Sequence, residues 1–299
     1  MSRLRAGADA RRGDAAWHEL VAPYRHEEAL GDHTLHYIDV GRGEPVVMVH
    51  GWADSSYTWH RNLGPLRDAG ARVILVDQPG LGRSAIPRPP YRFTIENQAA
   101  AVLALVTRLG LERFHLVGSS LGGAIALYLC LREPARVRRA VVLAPTCYRP
   151  RRLIMAWPGM AQLGTILAGG WTGRWMIRAG LWRAYRDRTR IDDALIDECS
   201  RPLGKPGYVH ALAGLRRDFF SPAFEELVAR YGDLVPPLLI VWGNEDRWNP
   251  KTYGDRLHAA VPGSQYRVIR GCGHLPHQER ADVVNPWLAD FLLREGAAT

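Results

Sequence analysis

The chain has 299 residues, 47% hydrophobic and 23% charged, which is enough for one large α/β domain or for a core with a substantial insertion. This usage excludes a disordered or collagen-like chain, and no run of 18 apolar residues is free of glycine or polar breaks, so a membrane-spanning helix is not expected. The net charge of +9 is almost all arginine, since Lys205 and Lys251 are the only lysines; the arginines are scattered among acids with no nucleic-acid-binding motif, so the excess reads as solvated surface.

Residues 1–30 are charged and Ala-rich and predict a mobile lead-in, whose docking on the body the sequence leaves open. Arg3, Arg5, Arg11 and Arg12 are followed by no apolar stretch, so no secretory signal is read there. Short Val/Ile/Leu-rich runs bounded by Gly, Pro or Asp then predict strands at 34–40, 45–49, 72–77, 114–118, 137–143, 238–242 and 265–269. Apolar runs of this kind suit strands buried on both faces of a parallel sheet. Helical patterns alternate with them at about 55–68, 94–109, 121–132 and 283–295, which predicts a doubly wound α/β sheet. The alternation breaks between about 147 and 235, a stretch of helical composition with no good strand run. We therefore expect a core of 31–146 and 236–299 carrying a helical cap over 147–235.

Four cysteines, Cys130, Cys147, Cys199 and Cys272, lie far apart and form no CxxC pair. They read as reduced thiols of a cytoplasmic protein. No metal site is expected: His33 and His36 lie on or beside a strand with no matching Cys or carboxylate set.

The strongest local signal is Gly118-Ser119-Ser120-Leu121-Gly122, a G-x-S-x-G set between a predicted strand and a predicted helix. A strand that turns sharply into a helix leaves Ser120 exposed on a strained backbone. The small Gly118 and Gly122 let the chain pack closely on either side, and the helix N-terminus aims its N–H groups at developing negative charge. A serine hydroxyl needs a base. His274, in Gly271-Cys272-Gly273-His274, follows the last predicted strand and is preferred to His277. The imidazole needs a carboxylate, and Asp246, after the strand 238–242, is preferred to Glu245. The chain order Ser…Asp…His is that of α/β-hydrolases. Oxyanion donors are expected from the backbone N–H groups of Trp52, after His50-Gly51, and Leu121. His50 is read as structural.

On these motifs, together with Asp77-Gln78-Pro79-Gly80-Leu81-Gly82-Arg83-Ser84, the sequence resembles the α/β-hydrolase superfamily over about residues 30–146 and 236–295. The 77–84 segment is similar to the D-x-P-G-x-G-x-S turn of that superfamily. The resemblance implies a mostly parallel eight-stranded sheet, a helical cap over the site, and hydrolysis without a cofactor. A serine rather than an aspartate at the elbow points to acyl chemistry, because a serine attacking an epoxide or haloalkane would yield an inert ether. The uncharged segment 153–173, with Trp157, Trp171 and the nearby Trp175, predicts an apolar lining for the acyl part of a substrate; contact with a lipid surface is the weaker reading. The expected function is hydrolysis of a small to medium carboxylic ester through an acyl-enzyme. Two alternatives stand beside it. One is carbon–carbon bond hydrolysis of a vinylogous diketone, of the meta-cleavage product type, with Arg183, Arg186, Arg216 or Arg217 holding a dienoate carboxylate. The other is a non-catalytic ligand-binding scaffold.

Overall fold

The computed structural model describes residues 16–31, 33–149 and 171–294. Eight strands form one sheet: β1 (Arg25–Leu30), β2 (His33–Gly41), β3 (Glu44–Val49), β4 (Ala71–Val76), β5 (Phe114–Ser119), β6 (Val137–Leu143), β7 (Leu238–Gly243) and β8 (Gln265–Ile269). Their order is β1-β2-β4-β3-β5-β6-β7-β8. The β1–β2 and β2–β4 pairs are antiparallel and all others are parallel.

The central strands are apolar on both faces because both faces are covered. In β3, Val47 and Val49 join one core cluster while Val46 and Met48 join the other. In β7 the split is Leu238, Ile240 and Trp242 against Leu239 and Val241. This is the two-residue period of a strand expressed in two hydrophobic layers rather than one. The first layer packs on Ile95–Arg108 and Leu121–Arg132, the second on Leu63–Asp68 and Ala281–Leu293.

From residue 16 onward the expected lead-in is part of the folded body. Residues 16–21 are helical, with Trp17 and Val21 buried, and β1 pairs along its whole length with β2. The predicted helix at 55–68 is two pieces, a 3-10 turn at Ser56–Trp59 and a helix at Leu63–Asp68. The helix Lys251–Ala260 had no counterpart in the sequence reading.

Between β6 and β7, the described residues form the helices Trp171–Ala184, Asp193–Ser200, Tyr208–Asp218 and Pro222–Ala229, a cap-like helical region with no strand among them. No helix among the described residues is long and apolar enough to cross a membrane. The four cysteines form no disulfide, and burial pushes the Cys130 thiol up to about 12.

Candidate functional site

The parallel strands β3, β5, β7 and β8 all deliver their next residues to the same sheet edge. Ser120 follows β5 with φ of 53° and ψ of −115°, a left-handed conformation uncommon for a side chain that is not glycine. Its surroundings make that turn possible. A Cβ on Gly118 would lie 2.2 Å from the Gly122 carbonyl oxygen, and one on Gly122 would lie 2.2 Å from that of Val49. Both positions exclude any larger residue, as the elbow reading expects.

His274 follows β8, and its Nε2 lies 2.9 Å from Ser120 Oγ. Its Nδ1 lies 2.7 Å from Asp246 Oδ2. The other oxygen of Asp246 accepts the N–H groups of Trp248 at 2.7 Å and Asn249 at 2.9 Å, which fixes the plane of the carboxylate. Asn249 in turn donates to the Ala144 and Pro145 carbonyls at the end of β6. The structure thus brings Ser120, His274 and Asp246 into one hydrogen-bonded relay. Glu245 points away and pairs with Arg186 on the surface.

The N–H groups of Trp52 and Leu121 donate to no protein acceptor among the described residues. Gly51 brings the Trp52 backbone against the serine, since a Cβ there would lie 3.2 Å from Ser120 Cβ. Two free donors beside Ser120 Oγ are an arrangement that could hold a developing oxyanion. His50 is fully buried, with Nδ1 2.8 Å from the Gly51 carbonyl oxygen and Nε2 accepting the Gln78 N–H. Both ring nitrogens are occupied, in agreement with a structural role. His277 is also buried: its Nε2 lies 3.0 Å from Thr58 Oγ1, its ring packs on Trp59, and burial holds its pKa well below the usual histidine range.

The 77–84 turn is a second buried polar group. Burial alone would raise the Asp77 carboxyl, but hydrogen bonds from His36 and the Arg83 N–H, with His50 near by, hold it at about 2. Asp77 also accepts the Ser56 N–H, and a Cβ on Gly82 would collide with its carboxylate. The turn therefore anchors the loop after β3 that presents Trp52.

Of the predicted lining residues, Trp157 lies outside the described residues, as does most of 153–173. Trp171 begins its helix, and the position of its side chain is likewise outside what is described. Trp175 is 67% exposed and does not line a buried pocket, which corrects the expectation made for it. In the helix Trp171–Ala184 both Trp175 and Trp182 are exposed while Leu181 and Ala184 are buried, so aromatic composition was no guide to the inward face. Trp248 takes a place that the sequence reading did not assign. Its ring centroid is 6.5 Å from that of His274, and the Arg183 guanidinium lies over the Trp248 ring, 5.4 Å from its centroid.

Glu279 was also missed. It is fully buried and accepts backbone N–H groups from Gly273 (2.9 Å), Arg186 (3.1 Å) and Asp187 (2.7 Å). Next to it, His274 N–H donates to the Ala184 carbonyl at 2.6 Å. The loop bearing His274 is thereby fastened to the end of the first described cap helix. No sequence signal marks this role, because its partners are backbone amides. Among the described residues no three metal-ligating side chains cluster.

The chain is similar to known proteins over most of its length. The profile of the alpha/beta hydrolase family matches residues 46–287. The chain is 32% identical to the 2-hydroxy-6-oxo-6-phenylhexa-2,4-dienoate hydrolase of Comamonas testosteroni, over 89% of this chain and 93% of that one. It is 34% identical to the 2-hydroxy-6-oxononadienedioate/2-hydroxy-6-oxononatrienedioate hydrolase 2 of Pseudomonas putida, covering 87% and 92%. Among solved structures, a meta-cleavage product hydrolase from Pseudomonas fluorescens superposes with a TM-score of 0.73 at 24% identity, covering 87% of this chain and 94% of that one. At that identity the superposition speaks for the fold alone.

Proposed function

This chain belongs to the α/β-hydrolase family, and from that premise we propose that it hydrolyses a carbon–carbon bond in a 2-hydroxy-6-oxo-dienoate. The observation that carries this reading is the similarity over nearly the whole chain to hydrolases of such compounds, on a chain whose Ser120, His274 and Asp246 are hydrogen-bonded in series. The ester expected from the sequence gives way, because the relatives favour the alternative substrate class while the triad serves either.

The chemistry follows from the substrate. A 2-hydroxy-6-oxo-dienoate contains no ester or amide, so its hydrolysis must break the bond between C5 and the C6 carbonyl. Moving the enol proton to C5 gives a 2,6-diketone in which C5 can leave as a stabilised carbanion. His274 Nε2 takes the Ser120 proton and Oγ attacks C6. The N–H groups of Trp52 and Leu121 hold the oxyanion, and Asp246 holds the imidazolium. The C5–C6 bond breaks, the dienolate leaves and is protonated, and water activated by His274 releases the acid from Ser120.

The substrate carboxylate needs a cation. Arg217 is engaged by Asp218 and Arg186 by Glu245, both on the surface. Arg183 is tied to the group around His274 through Trp248, and its buried Nε has no partner. It is therefore our choice for that contact.

The test is turnover of 2-hydroxy-6-oxo-6-phenylhexa-2,4-dienoate, followed by loss of its conjugated absorbance, beside a series of 4-nitrophenyl esters. Benzoate and 2-hydroxypenta-2,4-dienoate are the expected products. Turnover of esters with none of the dienoate would restore the ester reading. No turnover of either, with no labelling of Ser120 by a fluorophosphonate, would leave the scaffold reading.

A further inference from the structure

A cavity of about 560 Å³ lies between β1, β2, the Ser55–Tyr57 loop, the 77–84 turn and the cap segment 198–205; Ser120, Asp246 and His274 are not among its lining residues. Its volume is within the range of small-molecule sites. His36 lines it and is only 4% exposed. With Asp77 ionised, His36 Nδ1 donates to Oδ2 across 2.9 Å, which leaves Nε2 buried and without a protein partner. A buried polar atom in that state calls for a partner from outside the chain.

The charges around this atom are unequally compensated. Asp77 already accepts from His36 and from the Ser56 and Arg83 N–H groups. Glu198 already pairs with His18 and Arg201. The Arg83 side chain is exposed and makes no ion pair among the described residues. Lys205 donates to the carbonyls of Arg83 and Ser84, and the carboxylates of Asp77 and Glu27 at the same cavity act on it through space without forming an ion pair among the described residues. Arg25 stands at the same cavity, its pKa lowered by burial and by the charges of Arg83 and Arg201. Trp17, Ile38 and Tyr57 supply an apolar wall in which Trp17 packs edge-on against Tyr57.

We propose that this cavity binds a small aromatic hydroxy acid. The carboxylate faces Arg83 and Lys205, the ring lies along Trp17 and Tyr57, and the hydroxyl donates to His36 Nε2. Each part of the ligand answers one feature of the wall. The site stands apart from the reaction at Ser120 and does not depend on which bond that serine cleaves.

The experiment is calorimetric titration of the full chain with 4-hydroxybenzoate and with benzoate, for wild type, Arg83→Ala and His36→Asn. Asparagine keeps a δ-nitrogen donor for Asp77 and lacks Nε2. Wild type is expected to bind 4-hydroxybenzoate about tenfold more tightly than benzoate, as one buried hydrogen bond permits. Arg83→Ala should weaken both acids about tenfold, and His36→Asn should erase the preference between them. Absence of binding to wild type overturns the proposal. So does an unchanged affinity in Arg83→Ala, an exposed position whose replacement leaves the fold intact, or a preference that survives in His36→Asn.

Discussion

The Glu279 carboxylate accepts the N–H of Gly273, the residue immediately before His274, and accepts two more N–H groups from the cap at Arg186 and Asp187. One buried side chain thus sets the distance between the relay's histidine and the cap. Glu279→Gln should lower kcat about 10- to 100-fold with a smaller change in KM, because an amide presents only one acceptor oxygen to three donors. It should also cost about 1–3 kcal/mol of stability. Steady-state kinetics beside thermal unfolding check this; an unchanged kcat would remove Glu279 from the positioning of His274.

Ser120→Ala should lose about 10⁴-fold or more in turnover with the fold retained, and Asp246→Asn should lose a comparable amount by favouring the wrong imidazole tautomer. The two losses together should not exceed either alone by much, since the three groups act as a unit. Single-turnover rates of the two variants and their combination decide this, and additive losses would count against the relay.

Gly118→Ala should destabilise the protein by about 3 kcal/mol, because the added Cβ meets the Gly122 backbone at 2.2 Å and neither chain can yield. Denaturant unfolding measures it. A wild-type midpoint would mean that the elbow has more room than its geometry gives.

Stability should fall as pH drops below about 6.5. Burial holds His277 well below that value and His60 at about 4, so the unfolded chain binds protons that the folded chain refuses. Asp77 acts lower on the scale: its contribution is complete above 3.8 and is lost as pH falls toward about 2. His277→Gln, which can still reach Thr58, should flatten the decline between pH 6.5 and 5. Melting curves across that range test it, and an unaltered slope would assign the acid sensitivity elsewhere.

Arg183→Ala should raise KM for a dienoate more than it lowers kcat, as loss of a ground-state contact would. Equal effects on ester and dienoate substrates would show that the guanidinium serves only to pack Trp248.

Seven of the eight strands were legible: β3 to β7 are short apolar runs, the composition that burial on two faces demands, while β2 and β8 are more polar and stood out by their bounding turns. β1 was not: Arg25-His26-Glu27-Glu28-Ala29-Leu30 has no apolar face, and its pairing with β2 holds it at the sheet edge. Ser120, Asp246 and His274 were legible for a related reason. Each follows a strand whose end is easily recognised, and parallel order carries all three to one edge. Glu279, Asn249 and Trp248 have no such address. Their roles lie in contacts with backbone or rings far along the chain, which a local pattern does not encode.

His274 N–H bonded to Ala184, and Glu279 bonded to Arg186 and Asp187, make the end of the helix Trp171–Ala184 part of the floor as much as of the roof. Lifting that end would carry His274 away from Ser120. With this end detached, the hydrogen-bonded series from Asp246 to Ser120 would lose its middle member.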